Sequence, residues 1–174
     1  KWLGDKTGQG FYKKSKGADG KSEILVLDPA TMEYRQQDSV HFSSLDSVKG
    51  NPDAAERSRA VLNGQDRAAR LAWEVTADTL LYTAAVAQEI SDDIVNIDNA
   101  MRWGFNWEAG PFQTWDSLGV ATLTQRMEAE GRSIPPLVRE VAANGVGSFY
   151  HDGKYWDWNS HSYQPLPTSA QRPS

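Results

Sequence analysis

Apolar residues recur at spacings of three and four along the middle of the chain, which predicts amphipathic helices. The longest predicted helix covers about residues 66–89 and would span roughly 35 Å at about 1.5 Å per residue. We expect one buried stripe along it, formed by Ala68, Leu71, Ala72, Val75, Thr79, Tyr82 and Val86.

Capping signals predict one helix before the long helix and one after it. Asn51 is expected as an N-cap with Pro52 at the first helical position, and this helix should end near Gly64. Ser91 is expected to cap the second, with Asp92 and Asp93 in its first turn. Its expected inner face and end are Ile94, Ile97, Met101 and Gly104.

Three more helices follow from proline and glycine positions. They should begin at Pro111, Val120 and Pro135–Pro136 and end at Gly119, Gly131 and Gly145. Six helices joined by short loops predict an all-α bundle over residues 51–150. Residues 1–50 look irregular, with one strand or extended linker at 24–27, and the tail from His151 predicts a short strand or hairpin.

A short motif occurs twice. Gly8-Gln9-Gly10-Phe11-Tyr12 is echoed by Gly145-Val146-Gly147-Ser148-Phe149-Tyr150, at an offset of 138 or 139 residues. The second copy follows a predicted helical domain. We therefore interpret 1–12 as the end of a preceding repeat, 13–50 as a linker, 51–150 as the helical domain and 151–174 as an exit linker. Coincidence stays open, because the motif is short.

Composition narrows the function classes. The 174 residues carry a net charge of −5 at pH 7, which argues against a general nucleic-acid binder, and no apolar run is long enough for a membrane span. The absence of cysteine excludes disulfides and cysteine zinc sites. No signal peptide begins the sequence, so we expect a cytoplasmic protein. Seven tryptophans are many for this length.

Most candidate chemistry fails on spacing. Residues 17–22 end like a phosphate-binding loop, but Ser15 stands where the first glycine is needed and a strand pattern follows. The three histidines, at 41, 151 and 161, show no metal spacing. Asp92, Asp93 and Asp98 could be paired carboxylates, although the first two have the simpler role of favouring a helix start. We predict no catalytic, cofactor-binding or metal-binding residue in this chain.

One longer pattern resembles a known family. The stretch Asp98-Asn99-Ala100-Met101-Arg102-Trp103-Gly104-Phe105-Asn106-Trp107-Glu108-Ala109-Gly110-Pro111-Phe112-Gln113-Thr114-Trp115-Asp116 resembles the signature of the C-terminal domain of 3-hydroxyacyl-CoA dehydrogenases. The opening residues 2–12 resemble the end of the same domain in a first tandem copy. The resemblance covers residues 1–12 and about 66–150. Its signature residues here are Met101, Gly104, Phe105, Gly110, Pro111, Phe112, Trp115 and Asp116.

The resemblance implies a fold similar to the C-terminal domain of 6-phosphogluconate dehydrogenase. It implies a parent protein that oxidises 3-hydroxyacyl-CoA with NAD in fatty-acid β-oxidation, and in some relatives an enoyl-CoA hydratase module follows. The nicotinamide domain and a catalytic His–Glu pair lie upstream in that family. His41-Phe42-Ser43-Ser44 lacks the Asn-Pro of the catalytic histidine's setting. The segment alone is therefore expected to bind no NAD and to be inactive.

The resemblance also implies partners. Single-domain relatives pair their helical domains across a dimer interface, and a tandem copy resembles such a partner fused in one chain. We expect the long helix and the Gly-Pro-Phe cluster to pack on a preceding helical repeat, with Trp103, Trp107 and Trp115 as anchors, and the isolated chain to form a homodimer. Gly104 and Gly110 are expected to permit a sharp turn and a close approach.

Two alternatives remain from the residues alone. Trp103, Trp107, Trp115 and Phe112 could stack on a ligand, which would suit a free-standing helical module that binds an acyl, sugar or nucleotide group. A small autonomous enzyme would instead use Asp92, Asp93 or Glu108.

Overall fold

The structure is a computed structural model that describes residues 3–17 and 20–167. The chain divides into two compact units, which are described separately: an N-terminal unit, Lys1–His41, and a helical unit, Phe42–Ser174. Trp2, which belongs to the predicted end of a preceding repeat, lies outside the described residues.

The N-terminal unit is built on a small sheet. After a short 3-10 helix at Asp5–Thr7, three antiparallel strands follow in the order β1-β2-β3 and form the N-terminal sheet: β1 (Tyr12–Lys16), β2 (Ser22–Leu27) and β3 (Tyr34–Gln36). The strand predicted at 24–27 is confirmed. The expectation of an otherwise irregular linker over 13–50 is wrong, since β1 and β3 also lie there. The sequence pattern does not reveal them, because lysine-rich β1 and three-residue β3 carry too few apolar residues to show a period of two.

The helical unit contains the six predicted helices and one further turn of helix. These are α1 (Ser43–Asp46), α2 (Ala54–Leu62), α3 (Arg67–Ile90), α4 (Ile94–Phe105), α5 (Pro111–Leu118), α6 (Val120–Ala129) and α7 (Pro136–Ala143). The chain is mostly helical, and the two sheets extend the prediction of an all-α bundle with a short strand or hairpin in the tail. Within the described ranges, no helix combines the length and the apolar character that crossing a bilayer requires.

Two of the predicted caps are wrong by two residues. The N-cap of α2 is Asp53, whose carboxylate accepts the amide of Glu56, while Asn51 accepts the amide of Asp53 itself. Asp93 caps α4 in the same way, and Ser91 instead ends α3. Each aspartate directly precedes the first helical residue, which is the position from which a side chain reaches the third amide of the helix.

The predicted stripe of α3 is wrong in part, because four of its seven residues are half-buried while the other three face solvent. Leu71, Val75 and Tyr82 are 65%, 58% and 70% exposed. The buried side of the helix is formed by Ala69, Trp73, Ala77, Leu80, Ala84 and Ala87. Both faces of α3 are apolar, so a period of 3.6 identifies the helix but does not decide which face is buried.

The tail after α7 forms a second antiparallel sheet, the C-terminal sheet. Its strands are β4 (Tyr150–His151), β5 (Lys154–Asp157) and β6 (Ser162–Pro165), in the order β4-β5-β6. Trp156 and Trp158 are buried in the same core as the helices. The predicted strand or hairpin is thus present, but residues 151–165 belong to the helical unit rather than to an exit linker.

Candidate functional site

The signature stretch builds the junction between α4 and α5. Asp98 projects from α4, where both carboxylate oxygens accept amides from the first turn of α5: Phe112 N at 2.8 Å and Gln113 N at 3.0 Å. The first amides of a helix lack acceptors within the helix. Gly110, the residue that precedes α5, has no side chain that could accept a hydrogen bond from them. Asp98 therefore caps α5 from a neighbouring helix.

Gly110 is required by this arrangement. A Cβ atom added at Gly110 would lie 2.4 Å from the Cα, Cβ and Cγ atoms of Asp98. The close approach predicted for Gly110 is therefore present. The sharp turn predicted for Gly104 is not, because Gly104 lies inside α4 and the helix ends on Asn106, whose φ is 57°.

The last signature residue, Asp116, holds the second copy of the repeated motif. Its two oxygens accept the amides of Phe149 and Tyr150, each at 2.7 Å. The hydroxyl of Tyr150 donates to Asp98 Oδ2 at 2.8 Å. The two carboxylates at the ends of the signature are thereby joined through the Phe149–Tyr150 segment.

Aromatic packing completes the junction. The ring of Phe149 is fully buried and meets Phe112 edge to face, with ring centroids 4.8 Å apart, while its centroid lies 6.4 Å from that of Trp115. Such ring pairs add about 0.5–1.5 kcal/mol beyond the burial of their area. We call the group formed by Asp98, Phe112, Trp115 and Asp116 the Phe–Tyr socket.

The electrostatics of the socket reflect its burial. Burial raises the pKa of Asp98 to about 6, and the amides and hydroxyl that bind it only partly oppose this rise. Burial likewise raises the pKa of Asp116 to about 6. The pKa of Tyr150 is raised by burial and by the neighbouring charge of Asp98. Burial within the fold is therefore the cause of both raised carboxylate pKa values, and every oxygen of the two carboxylates accepts a hydrogen bond within the domain, which opposes the rise.

The signature residues separate into an interior part and an exposed part. Gly110, Pro111, Phe112 and Trp115 are buried. Trp115, expected as a surface anchor, is therefore a core residue, and the Gly-Pro-Phe cluster is core rather than interface. Met101, Trp103 and Asp116 are half-buried, whereas Gly104, Phe105 and Trp107 are exposed.

A cavity lies beside the exposed part. Its volume is about 440 Å³, and its lining residues include Trp107, Glu108, Ser58 and Thr114. Glu108 pairs with Arg57 at 3.2 Å. The cavity is of the size that small-molecule sites have, which is about 300–1,000 Å³.

The other candidate groups have local partners. Asp93 caps α4. In the stretch 17–22, which resembles a phosphate-binding loop, Ser22 is the first residue of β2, and Ala18 and Asp19 lie outside the described residues. His161 contacts Glu140, His151 lies 3.1 Å from Asp152, and His41 lies 3.2 Å from Ser39. Among residues 3–17 and 20–167, no group of three or more His, Asp or Glu could hold a metal ion.

Sequence reasoning missed the socket as a unit. Asp98 is visible as the first signature residue and Phe149–Tyr150 as half of the repeat. No sequence spacing predicts contacts between Asp116 and Phe149, 33 positions apart, or between Asp98 and Tyr150, 52 positions apart. The signal was the coincidence of two unexplained motifs in one domain.

Known proteins give the family context. The chain is 36% identical over 173 residues to a Bacillus subtilis (strain 168) protein named "Probable 3-hydroxyacyl-CoA dehydrogenase", covering 98% of this chain and 21% of that relative. It is 25% identical over 115 residues to a Rickettsia felis protein named "Putative fatty acid oxidation complex trifunctional enzyme", covering 65% of the chain and 14% of the relative.

The chain thus spans about a fifth or less of the length of these relatives. No protein-family profile matches it. No solved structure matches it. The resemblance predicted from the signature is confirmed: nearly the whole chain is similar to one segment of the Bacillus subtilis relative named "Probable 3-hydroxyacyl-CoA dehydrogenase".

Proposed function

We propose that this chain is a helical domain of a longer NAD-dependent 3-hydroxyacyl-CoA dehydrogenase of fatty-acid β-oxidation, and that it catalyses no reaction alone. The observation that carries the proposal is the similarity of 98% of the chain to only 21% of a relative with that name. The proposal includes a bundle of the kind found in the C-terminal domain of 6-phosphogluconate dehydrogenase.

The chemistry of the signature supports a structural role. Asp98 and Asp116 bind backbone amides and a tyrosine hydroxyl of their own domain. A carboxylate whose oxygens accept these hydrogen bonds faces the interior of its own domain and is not directed at a substrate. We therefore assign NAD binding and hydride transfer to other parts of the parent protein, and the acyl-CoA substrate to a cleft that this domain helps to build.

The outward face of α3 is the proposed contact with the preceding helical repeat. Leu71, Val75 and Tyr82 are more than half exposed and lie within one stripe of the helix. Burying one such side chain contributes about 1.5–3 kcal/mol. This face keeps the interface role expected of the long helix, without the buried Gly-Pro-Phe cluster that was expected beside it, and in the isolated chain it would favour a homodimer.

The dimer is tested by changing this face. The variant Val75→Gln/Tyr82→Gln should weaken self-association of the isolated chain in light scattering, while Arg70→Gln, at an exposed position of the same helix, should leave it unchanged. Equal association of all three proteins would contradict the assigned face.

A binding module remains the second candidate, because Trp107 lines the cavity of about 440 Å³. Saturable quenching of tryptophan fluorescence by an acyl-CoA, lost in Trp107→Phe, would favour it.

The dehydrogenase assignment is tested with two proteins. The isolated chain should bind no NADH and little or no acetoacetyl-CoA in calorimetric titration, whereas the full-length protein should oxidise 3-hydroxybutyryl-CoA with NAD. Tight binding of NADH by the isolated chain, or an inactive full-length protein, would contradict the assignment.

A further inference from the structure

The repeated motif leads into the same structure twice. Gly10-Phe11-Tyr12 precedes the N-terminal sheet and Ser148-Phe149-Tyr150 precedes the C-terminal sheet. Each tyrosine is the first residue of its sheet's first strand, and each sheet has three antiparallel strands in sequence order. The resemblance between the two ends of the chain therefore extends well beyond the short motif.

Two hydrogen bonds of the N-terminal sheet have direct counterparts in the C-terminal sheet. The carbonyl of Phe11 accepts the amide of Leu27 at 2.8 Å, and that of Phe149 accepts the amide of Trp156 at 2.7 Å. In the third strand, Tyr34 donates its hydroxyl to the carbonyl of Gly10. Tyr163 does the same to the carbonyl of Ser148.

Register and spacing agree as well. Leu27 pairs with Tyr34 in one sheet and Trp156 pairs with Tyr163 in the other. Both pairs are seven residues apart in sequence. The connection from the motif to the second strand is nine residues longer in the N-terminal sheet, since Phe11 to Leu27 is 16 residues and Phe149 to Trp156 is seven.

Even the loops between the second and third strands match. Asp28 accepts the amide of the residue two positions on at 2.9 Å, and Asp157 does so at 3.1 Å. Four residues after each aspartate the backbone has a positive φ, 60° at Met32 and 50° at His161. A positive φ is uncommon for residues other than glycine, so its recurrence at the matching position marks a structural repeat.

The two copies differ in what covers them. Phe149 is fully buried by the Phe–Tyr socket, whereas Phe11 is 75% and Tyr12 59% exposed. Phe11 also lines an apolar cavity of about 490 Å³ in the N-terminal unit, together with Leu3, Leu27, Pro29 and Met32. The N-terminal sheet thus presents an uncovered apolar surface at the position that faces a helical core in its counterpart.

We propose that the N-terminal sheet is the closing sheet of a second helical domain of the same kind, which precedes it in the same polypeptide, and that Phe11–Tyr12 fills a Phe–Tyr socket on that domain. This rests on the proposed function, which supplies a longer parent protein. The socket of the helical unit is already filled by Phe149–Tyr150, so the partner is a different socket.

The socket occupied by Phe149–Tyr150 indicates which groups the proposed socket for Phe11–Tyr12 must contain. It needs one carboxylate that accepts the amides of Phe11 and Tyr12, and a second that accepts the hydroxyl of Tyr12. It also needs a proline-led aromatic helix start against which the ring of Phe11 packs. An aspartate, a Gly-Pro-Phe and a second aspartate at the spacing seen in 98–116 provide all of these.

This inference moves the repeat boundary. The preceding repeat ends after the N-terminal sheet, near Gln36, rather than at Tyr12. The true linker is correspondingly shorter than 13–50.

The test compares the 174-residue chain with the longer protein extended upstream by one repeat, 138 residues by the offset between Phe11 and Phe149. In the longer protein, Phe11→Ala should lower the thermal midpoint by roughly 10 °C. In the 174-residue chain it should leave the midpoint unchanged. Phe149→Ala is the matched control and should lower the midpoint in both proteins.

Tyr12→Phe is the milder variant and should lower the midpoint of the longer protein by a few degrees, as loss of one hydrogen bond to a carboxylate does. An unchanged midpoint for both variants in the longer protein would overturn the inference, as would an upstream extension without the signature. The dehydrogenase assay, run on the full-length protein, separates the two claims: an active full-length protein that is insensitive to Phe11→Ala removes only this inference, and an inactive one that Phe11→Ala destabilises removes only the proposed activity.

Discussion

The two sheets of this protein share a backbone plan and differ in their surroundings. In the C-terminal sheet, Phe149 is fully buried among helices, whereas its counterpart Phe11 in the N-terminal sheet is mostly exposed. The strand order, the hydroxyl bond of the third-strand tyrosine and the positive φ in the second loop are the same in both. The plan of such a sheet is thus set locally, because it forms with or without a helical domain on it.

We expect the stability of each sheet to depend on what packs against it rather than on its strand order. A three-stranded sheet gains most of its free energy from the apolar face that it buries. The C-terminal sheet contributes Trp156 and Trp158 to the core, while Leu27 is the buried apolar side chain within the described part of the N-terminal unit. Substitutions at matched residues of the two sheets test this difference in stability.

The largest difference is expected at the phenylalanines. Phe149→Ala should lower the free energy of unfolding of the 174-residue chain by about 3–5 kcal/mol, because it empties a closed aromatic site. Phe11→Ala should change it by less than about 0.5 kcal/mol, because the side chain is exposed. Urea unfolding followed by tryptophan fluorescence and far-ultraviolet circular dichroism measures both. Similar losses would show that the two copies are equally covered.

The next effect concerns the glycines of the signature. Gly110→Ala should lower the free energy of unfolding by about 3 kcal/mol, at the upper end of the usual cost of overpacking, since its Cβ would collide with the backbone of Asp98. Gly104→Ala, in open space within α4, should instead raise it by up to about 1 kcal/mol. Chemical denaturation of both variants checks the opposite signs, and a harmless Gly110→Ala would disprove the close approach.

A smaller effect is expected at the tyrosines that follow the phenylalanines. Tyr150→Phe removes the hydroxyl that donates to Asp98, which should cost about 1.5–3 kcal/mol. Tyr12→Phe should be neutral in the 174-residue chain. The same denaturation experiment checks the pair, and a neutral Tyr150→Phe would show that the bond to Asp98 carries little of the stability of the socket.

The smallest effect is a pH dependence of the socket. The pKa of Asp116 is raised to about 6 in the folded protein, so the folded state binds a proton more readily than the unfolded state. The resulting stability is fully present below about pH 4 and is lost as the pH rises through about 6. The advantage of the wild type over Asp116→Asn should therefore narrow by roughly 1–3 kcal/mol between pH 4 and pH 7.

The control for this measurement is Asp92→Asn, at an exposed position, measured over the same pH range. A wild-type advantage over Asp116→Asn that widens as the pH rises would contradict the buried-carboxylate account.

The helices were predictable where a single residue type marks a boundary. Pro111, Gly119 and Pro136 lie at or beside observed helix ends, because the ring of proline and the freedom of glycine act within one turn. The buried face of α3 was not predictable, since Leu71 and Leu80 are equally apolar and only the packing of other helices distinguishes them.

The socket was visible only in pieces. Its aspartates appear in the signature and its phenylalanine in the repeat, but the bond from Tyr150 to Asp98 joins residues 52 positions apart. The N-terminal sheet was hidden for a different reason, because a strand such as Tyr12–Lys16 carries three lysines and no aliphatic residue. The socket depends on long-range pairing, which local patterns do not encode, whereas the sheet pairs neighbouring strands whose composition hides them.

Amide hydrogen exchange of the 174-residue chain at the two copies of the motif measures directly whether the N-terminal sheet is uncovered. The amides of Phe149 and Tyr150, bound by Asp116, should exchange only through opening of the helical unit. Those of Phe11 and Tyr12 should exchange at least about a hundredfold faster, since few apolar contacts hold their unit together. Equal protection of the two pairs would contradict the claim that the N-terminal sheet is an uncovered copy of the C-terminal one.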